Sequence, residues 1–563
     1  MKWKLASPDP TVVKELTRGL GIPGLVATLL VNRGIVSAFE ARRFLQPQFE
    51  HLRDPYGMRD LSIAVHRVLD AIERNEKILI YGDYDVDGAT AVVILKKALD
   101  LLDARTSYHI PRRLLDGYGM KSDVVERAAI EGVRLVISVD TGIKAFDVVE
   151  KASQLGVDCI ITDHHLPENG LPHALAVLNP KRPDCSYPDK NLSGVGVAFK
   201  LVQALLMKAG REKLLPSFLK IVAIGTIADV VPLIGENRVL AKLGLEGLQV
   251  PVNFGLKSLI EAAGLDGKAI TSSDVGFRIA PRINAVGRLG DVEQVIRLFT
   301  STDEEQTRIL AGEMNRLNRE RQQIEDQILK CIEERFDAEP ELVSDWVIVV
   351  DGEGWHRGVI GIAATKLTER FHRPVLVISR EGDQGYGSGR APNGFQLLCA
   401  LDHCRDLFGR FGGHAQAVGF QLPISRLGEL RRIVNDYARQ TIQLEDLQPS
   451  LEAEAELRLS DVDHALFEQI QRLSPFGMSN PQPLFLVRDV RVIADPRVLK
   501  NRHLKFRVEQ DGKSMDAIGW NMAQHCQPIV ESSQLLSLAF ELSESTFQSM
   551  KSLQLVVKDI HIH

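Results

Sequence analysis

Three aspartates, Asp83, Asp85 and Asp87, stand at alternate positions in the segment GDYDVDG, directly after the apolar run KILIY. Carboxylates this close repel one another unless cations neutralise them. On an extended backbone, alternate side chains leave the same side and can converge on one or two ions. Oxygen donors of this kind suit Mg²⁺ or Mn²⁺. The same spacing opens a calcium-binding EF-hand loop, but the twelfth position here is Ile94 rather than a glutamate. A solvated acidic turn is the other ordinary reading.

Comparable residues close further apolar segments. Asp140 lies in SVDTG, Asp163, His164 and His165 in TDHHLPE, and Asp229 in IGTIADVVPL. A single aspartate at an element end is ordinarily a cap, and a single histidine is ordinarily a satisfied core or surface group. A succession of them is not explained that way. Imidazole beside carboxylates favours Mn²⁺ over Mg²⁺. So many carboxylates fit two ions about 3.5–4 Å apart, which together clamp the attacking and leaving oxygens of a phosphoryl group.

The elements that must position these residues follow from the periodicity. Apolar runs at 77–85, 134–142, 159–165 and 174–180 alternate with helical patterns at 89–102 and 145–156. That alternation predicts βαβ units and a parallel sheet, with ligands beyond the carboxyl ends of the strands. Residues 1–50 read as helical, with breaks around Gly21 to Gly24. Residues 302–336 read as one helix, capped by Thr302 and Asp303 and about 50 Å long. Its thin apolar stripe suits a connector between two units.

A second α/β unit is expected at 345–443, with strands at 346–352 and 374–380, a helix at 358–371 and Gly-rich loops at 385–392 and 409–420. The tail, with β-like segments at 484–493, 503–509 and 553–560, fits a small barrel or a sandwich. The expected division is 1–50, an N-terminal helical segment; 51–301, the metal-bearing α/β unit; 302–338, the connector; 339–445, the second α/β unit; and 446–563, the β unit.

The bulk composition agrees. The chain has 563 residues, 44% hydrophobic and 25% charged, which fits three or four ordinary soluble domains. No apolar run is long enough to span a membrane, and the start MKWKLASPDP has no apolar signal core. The net charge of −6 neither requires nor excludes a nucleic-acid partner. Six scattered cysteines, without a C-x-x-C pair, suggest reduced thiols in the cytoplasm. A zinc site at Cys399, His403 and Cys404 would have too few ligands.

In order, D-x-D-x-D-G, V-D-T-G, D-H-H and A-D-V-V-P-L resemble the four motifs of the DHH phosphoesterase superfamily. The later GSGR and GGH resemble its DHH-associated domain. HIPRRLLDGYG (109–119), APRINAVGRLG (280–290) and SPFGMSNPQPLF (474–485) are similar, more narrowly, to the bacterial RecJ exonuclease family. The resemblance runs from about residue 20 to the C-terminus.

It implies an α/β fold: a parallel-sheet DHH domain and a smaller DHH-associated domain joined by the long helix, then an oligonucleotide-binding (OB-like) β-barrel. It implies 5′→3′ hydrolysis of single-stranded DNA to 5′-mononucleotides in recombination and repair, with Mn²⁺ or Mg²⁺ as two-ion cofactor. It makes Asp85, Asp87, Asp140, His164 and Asp229 metal ligands, with Asp83 a ligand or neighbour of one. Asp163 and His165 complete the DHH motif as the catalytic pair. Some relatives carry a histidine where Tyr81 stands. A single-stranded-DNA-binding protein and a RecQ-type helicase are implied as partners.

Arg112, Arg113, Arg278, Arg282 and Arg288 fall in or near the motifs, and Ser388, Arg390 and His414 in the Gly-rich segments. Arginine forks and loop N–H groups suit phosphate oxygens, although an arginine taken singly is ordinarily half of a surface salt bridge. In the tail, Arg497, Lys500, Arg502, His503, Lys505 and Arg507 cluster, with Phe506 and Trp520 nearby, as a barrel that grips single strands would need. Two other functions share parts of this pattern. One is a small-molecule or short-oligonucleotide phosphoesterase of the same superfamily, which would not need the basic barrel. The other is a non-catalytic DNA-binding scaffold, which would not need the carboxylates.

Overall fold

The computed structural model describes residues 1–113, 117, 119–168, 170–443, 447–531, 535–547 and 550–563. The expected boundary between 445 and 446 and part of the 109–119 motif fall outside the described residues.

Five parallel strands form the first sheet, in the spatial order Arg105–His109, Lys77–Tyr81, Val133–Val139, Asp158–Thr162, Ala176–Leu178. The inner strands are near-continuous apolar runs because helices cover both faces. Val86–Leu101, Gly194–Lys208 and Leu219–Ala228 pack on one face, and Ser122–Ile130 and Phe146–Gln154 on the other. The edge strand Arg105–His109 was not expected, since RTSYH is polar and only partly buried. Three neighbouring strands end at Tyr81, Val139 and Thr162. Asp83, Asp140 and Asp163 therefore reach one edge of the sheet.

The connector is a single helix, Glu304–Ala338, of 35 residues, with Asp303 capping it through the amides of Glu305 and Gln306. Leu310, Met314 and Leu317 enter the core of the first unit. Ile328, Ile332 and Phe336 enter that of the second.

The second sheet runs Arg410–His414, Ala417–Pro423, Gln384–Arg390, Val375–Glu381, Ile348–Glu353. It corrects the two expected Gly-rich loops, which are largely antiparallel strands. In Gln384–Arg390 the glycines make room for large neighbours. A Cβ on Gly387 would stand 2.1 Å from the Phe420 ring, and one on Gly389 would stand 2.6 Å from Leu376.

In the tail, Phe485–Leu499, His503–Gln510, Lys513–Gly519, Met550–Ile562 and Leu536–Phe547 pair in that order, and the last pairs back to the first. The closure decides for a five-stranded barrel over a sandwich. The N-terminal segment is helical as expected (Pro10–Leu20, Gly24–Asn32, Ala38–Leu45), but it begins with an unforeseen strand. Lys2–Leu5 pairs with Ser450–Ala453 in parallel. Leu16, Leu30 and Phe44 share one core with Phe485, Phe506 and Phe540 of the barrel. Among the described residues no helix is long and apolar enough to cross a membrane.

Candidate metal centre

The three leading aspartates do not lie on an extended strand. They span a strand-to-helix turn. Asp85 is the N-cap of Val86–Leu101, accepting from the Gly88 amide at 3.0 Å, and Asp87 sits in the first helical turn. Helix N-termini carry partial positive charge, which helps to hold carboxylates there. Gly88 is needed for closeness, since a Cβ would stand 2.7 Å from the Asp83 carbonyl oxygen.

Asp229 differs. It caps the C-terminal end of Leu219–Ala228, where the helix dipole opposes an anion. Asp140 has φ +59 and is nearly fully buried. A Cβ on Gly194 would stand 2.3 Å from its Oδ1.

Ligand atoms from Asp83, Asp85 and Asp140 lie within 4.8 Å of one another, as do those of Asp87, His164 and Asp229, and those of Asp140, His164 and His165. His164 Nε2 is 3.3 Å from Asp140 Oδ1, 3.6 Å from Asp229 Oδ2 and 3.9 Å from Asp87 Oδ2. Buried oxygens of Asp83, Asp140 and Asp229 have no hydrogen-bond partner. Unsatisfied buried carboxylate oxygens facing one another are what divalent cations would occupy. The residues therefore fit the expected ions.

The titrations carry the same signature. Burial, then Asp85, pushes Asp87 up to about 7, against the pull of the Val195 and Gly194 amides. Burial, then Asp87 and the other aspartates, holds Asp140 well above the carboxylate range. Asp83 and Asp229 move the same way, through burial and then Asp85 and Asp87 respectively. His164 drops to about 3 through burial and the nearby His165, which leaves it neutral and able to ligate.

Asp163 has another place. It is fully buried and accepts the amides of Ile143, His164 and His165, together with His165 Nδ1 at 2.7 Å. Burial is the largest single influence and opposes its charge, but the His165 hydrogen bond, the charges of both histidines and the His165 amide together outweigh it and hold the carboxyl at about 2. Its oxygens are spent on protein donors rather than on ions. Tyr81 is buried in the core on the far sheet face, away from the cluster.

The carboxylates form one wall of a cavity of about 340 Å³. Arg113, Arg288, Arg390 and Asn284 also line it. Arg288 donates to the Gly358 carbonyl, and Arg390 to Ser388 Oγ (3.2 Å) and Gly389 O (2.7 Å). Neither meets a carboxylate among the described residues. Burial and the neighbouring arginines lower Arg288 to about 9, and burial with Arg113 lowers Arg390. The cavity thus offers carboxylates that suit cations and arginines that suit an anion. Next to it, sharing Tyr84 and His165, lies a cavity of about 880 Å³ between the two α/β units. His414 lines it opposite Lys144.

Other expected residues are not brought here. Arg278 pairs with Asp274 at 3.2 Å and bonds the Ala263 and Gly264 carbonyls. Arg282 bonds Asn315 and the Arg278 carbonyl. Arg112 is exposed, outside both linings. Lys500, Arg502 and Lys505 are exposed on the barrel, around the turn between its first two strands. There Phe506 proves to be core, while Trp520 is 54% exposed. Sequence reasoning missed Tyr84 and Asn284, which line the cavity, and did not single out Phe277. The last is 82% exposed, on a π-helical stretch, Val275–Ile279. An aromatic residue just ahead of the arginine motif was its available signal.

Comparison with known proteins agrees. Models of the DHH family, N-terminal domain, the DHHA1 domain and the RecJ OB domain match residues 77–226, 344–440 and 453–559. The single-stranded-DNA-specific exonuclease RecJ of Bacillus subtilis is 39% identical over 99% of this chain and 70% of its own length. The chain belongs to the RecJ family. The Escherichia coli RecJ is 32% identical over 96% of each chain. A crystal structure of Thermus thermophilus RecJ in complex with Mn²⁺ superposes with a TM-score of 0.85 at 30% identity, covering 100% of this chain and 79% of the other. A Mg²⁺ complex of the same RecJ gives a TM-score of 0.78 at 28% identity, over 99% of this chain and 78% of that one.

Proposed function

We propose that this chain is a metal-dependent exonuclease that degrades single-stranded DNA from the 5′ end to 5′-mononucleotides, in recombination and repair. The observation that carries this reading is a cavity lined by both arginines and carboxylates, beside buried carboxylate oxygens that have no hydrogen-bond partner. Asp83, Asp85 and Asp140 would hold one ion, and Asp87, His164 and Asp229 a second, with Mn²⁺ or Mg²⁺ as the metal. When bound, the ions supply Lewis acidity toward the scissile phosphate.

The chain's own residues do the rest. Arg390, Ser388 and Arg113 take the terminal 5′-phosphate, which sets polarity. The cavity between the α/β units, with His414, takes the nucleotide to be released. Asp163 holds His165 in one tautomer, with burial opposing and the Asp163 hydrogen bond raising its proton affinity. His165 is thereby suited to stabilise the phosphoryl group or to protonate the departing 3′-oxygen. Phe277 and the basic barrel face hold the strand beyond. The five-part division at 1–50, 51–301, 302–338, 339–445 and 446–563 is the matching domain reading.

The matching reading of setting and partners is the cytoplasm, with a single-stranded-DNA-binding protein and a RecQ-type helicase; fractionation tests the first and co-purification the second. The function itself is tested by digesting end-labelled single strands with and without Mn²⁺. A 5′ label should leave as a mononucleotide only when metal is present. Release of a 3′ label first, or internal cutting, would sink the reading.

A further inference from the structure

The motif SPFGMSNPQPLF, 474–485, lies far along the chain from the metal ligands, yet its loop touches the segment that carries Asp229. Asp229 ends its helix with a buried Oδ2 that has no hydrogen-bond partner. The next residue, Val230, has φ +60 and is 60% exposed. A β-branched residue in that region is strained, and such a conformation persists only where its surroundings impose it.

Two residues on, the Pro232–Leu233 peptide is gripped at both ends. Its carbonyl accepts from Asn237 Nδ2 at 3.1 Å, and its N–H donates to the Met478 carbonyl at 2.8 Å. Asn237 follows in the same unit as Asp229. Met478 belongs to the C-terminal loop.

That loop is built to be rigid. Asn480 is fully buried. Its Nδ2 donates to Leu473 O (2.9 Å) and Pro475 O (2.7 Å), and its Oδ1 accepts from Arg33 Nε at 2.7 Å. Gly477 and Asn480 exchange both backbone hydrogen bonds, at 2.8 and 3.0 Å. Arg238, stacked 3.6 Å over Phe44, donates to the Ser474 carbonyl at 3.0 Å. Gly477 lies so near Leu233 that a Cβ would stand 2.7 Å from Leu233 Cδ1.

We propose that the 474–480 loop positions Asp229: Asn480 holds the loop, Met478 holds the Pro232–Leu233 peptide, and strained Val230 thereby keeps the Asp229 carboxylate turned into the cluster. The inference rests on the metal-site reading above and extends it, because it makes the C-terminal unit a determinant of metal affinity. Val230→Gly should then lessen the need for the grip, since glycine takes φ +60 without strain.

The test is a calorimetric titration of the metal-free full chain with Mn²⁺ alone, with melting in EDTA followed in parallel. Asn480→Ala and the milder Gly477→Ala should each weaken Mn²⁺ binding about tenfold, the size of effect seen when groups that orient metal ligands are lost. Adding Val230→Gly to either should return the loss to within about threefold. A merely structural role would lower the metal-free melting temperature and leave Mn²⁺ affinity alone. Should Asn480→Ala fail to fold, Gly477→Ala still reads the same loop. Variants that melt as folded proteins and bind Mn²⁺ within about twofold of wild type would overturn the proposal. If wild type itself bound no Mn²⁺, it is the metal-site reading that would fall.

Discussion

Asp163 Oδ1 accepts His165 Nδ1 at 2.7 Å and, through the same oxygen, the amides of His164 and His165. One carboxylate thus fixes both the loop and the tautomer of the adjoining ring. Asp163→Asn keeps the volume and loses the anion. It should cut single-turnover cleavage about 10²–10⁴-fold, as orienting carboxylates do elsewhere, while Mn²⁺ still binds. The His165 pKa, followed by NMR in the metal-free protein, should fall in the variant. Cleavage near the wild-type rate would remove Asp163 from the mechanism.

The carboxylates of the cluster make the metal-free protein pH-sensitive. Asp87 is raised in the fold to about 7, and Asp83, Asp140 and Asp229 are raised as well. A raised acid favours folding while it is protonated, and that contribution is lost as pH rises through the folded value. In EDTA the melting temperature of the metal-bearing unit should therefore fall between about pH 5 and about pH 8. Saturating Mn²⁺ should reverse the trend by binding the folded state. Asp140→Asn should raise metal-free melting at the upper pH by about 2–4 °C and abolish nuclease activity. A metal-free melting curve independent of pH would contradict the clustered-carboxylate account.

Phe277 should hold a base. It lies two turns before Asn284 and three before Arg288 on one helical run, and both of those line the metal cavity. A ring 82% exposed gains nothing from the core, so Phe277→Ala should leave melting unchanged. Stacking on an aromatic ring is worth about 1–3 kcal/mol per base. Anisotropy with labelled single strands in EDTA should show a loss of affinity in that range. Equal binding by variant and wild type would return Phe277 to the plain surface.

How far the sequence could be read depended on what each residue answers to. The parallel strands at 77–81, 133–139 and 158–162 were legible because burial on both faces makes them continuous apolar runs. The connector was legible from its caps and stripe. Strand Arg105–His109 was hidden because an edge strand need not be apolar. Strand 384–390 was hidden because its glycines, which read as loop, answer to Phe420 and Leu376 across the sheet, and strand 410–414 because Gly413, at φ +144, lies against the Ala417 backbone. The candidate metal ligands were visible because carboxylate chemistry needs those residue types. Arg278 and Arg282 looked the same in sequence as Arg113 and Arg390. Only the fold spends the first two on Asp274 and Asn315 and turns the others to the cavity.

The last prediction separates grip from chemistry. Lys500, Arg502 and Lys505 are exposed on the barrel, while Ser388 and Arg390 are bonded to each other, with Arg390 in the wall of the metal cavity. Changing the three barrel residues to Ala should raise KM for long strands and shorten processive runs. Every side chain that neutralises a phosphate should, when removed, flatten the dependence of log affinity on log salt by about 0.7. Lys505 already lies 3.5 Å from Asp516, so the triple change should flatten it by about 1–2 rather than by the full value for three charges. A very short oligonucleotide need not reach the barrel, and its turnover should be unaffected. Ser388→Ala with Arg390→Ala should instead impair short and long substrates alike, because both lose the hold on the terminal phosphate. The comparison is kcat/KM on short and long strands for both sets. Equal losses at both lengths for the barrel variant would show that its basic face is not a distal grip.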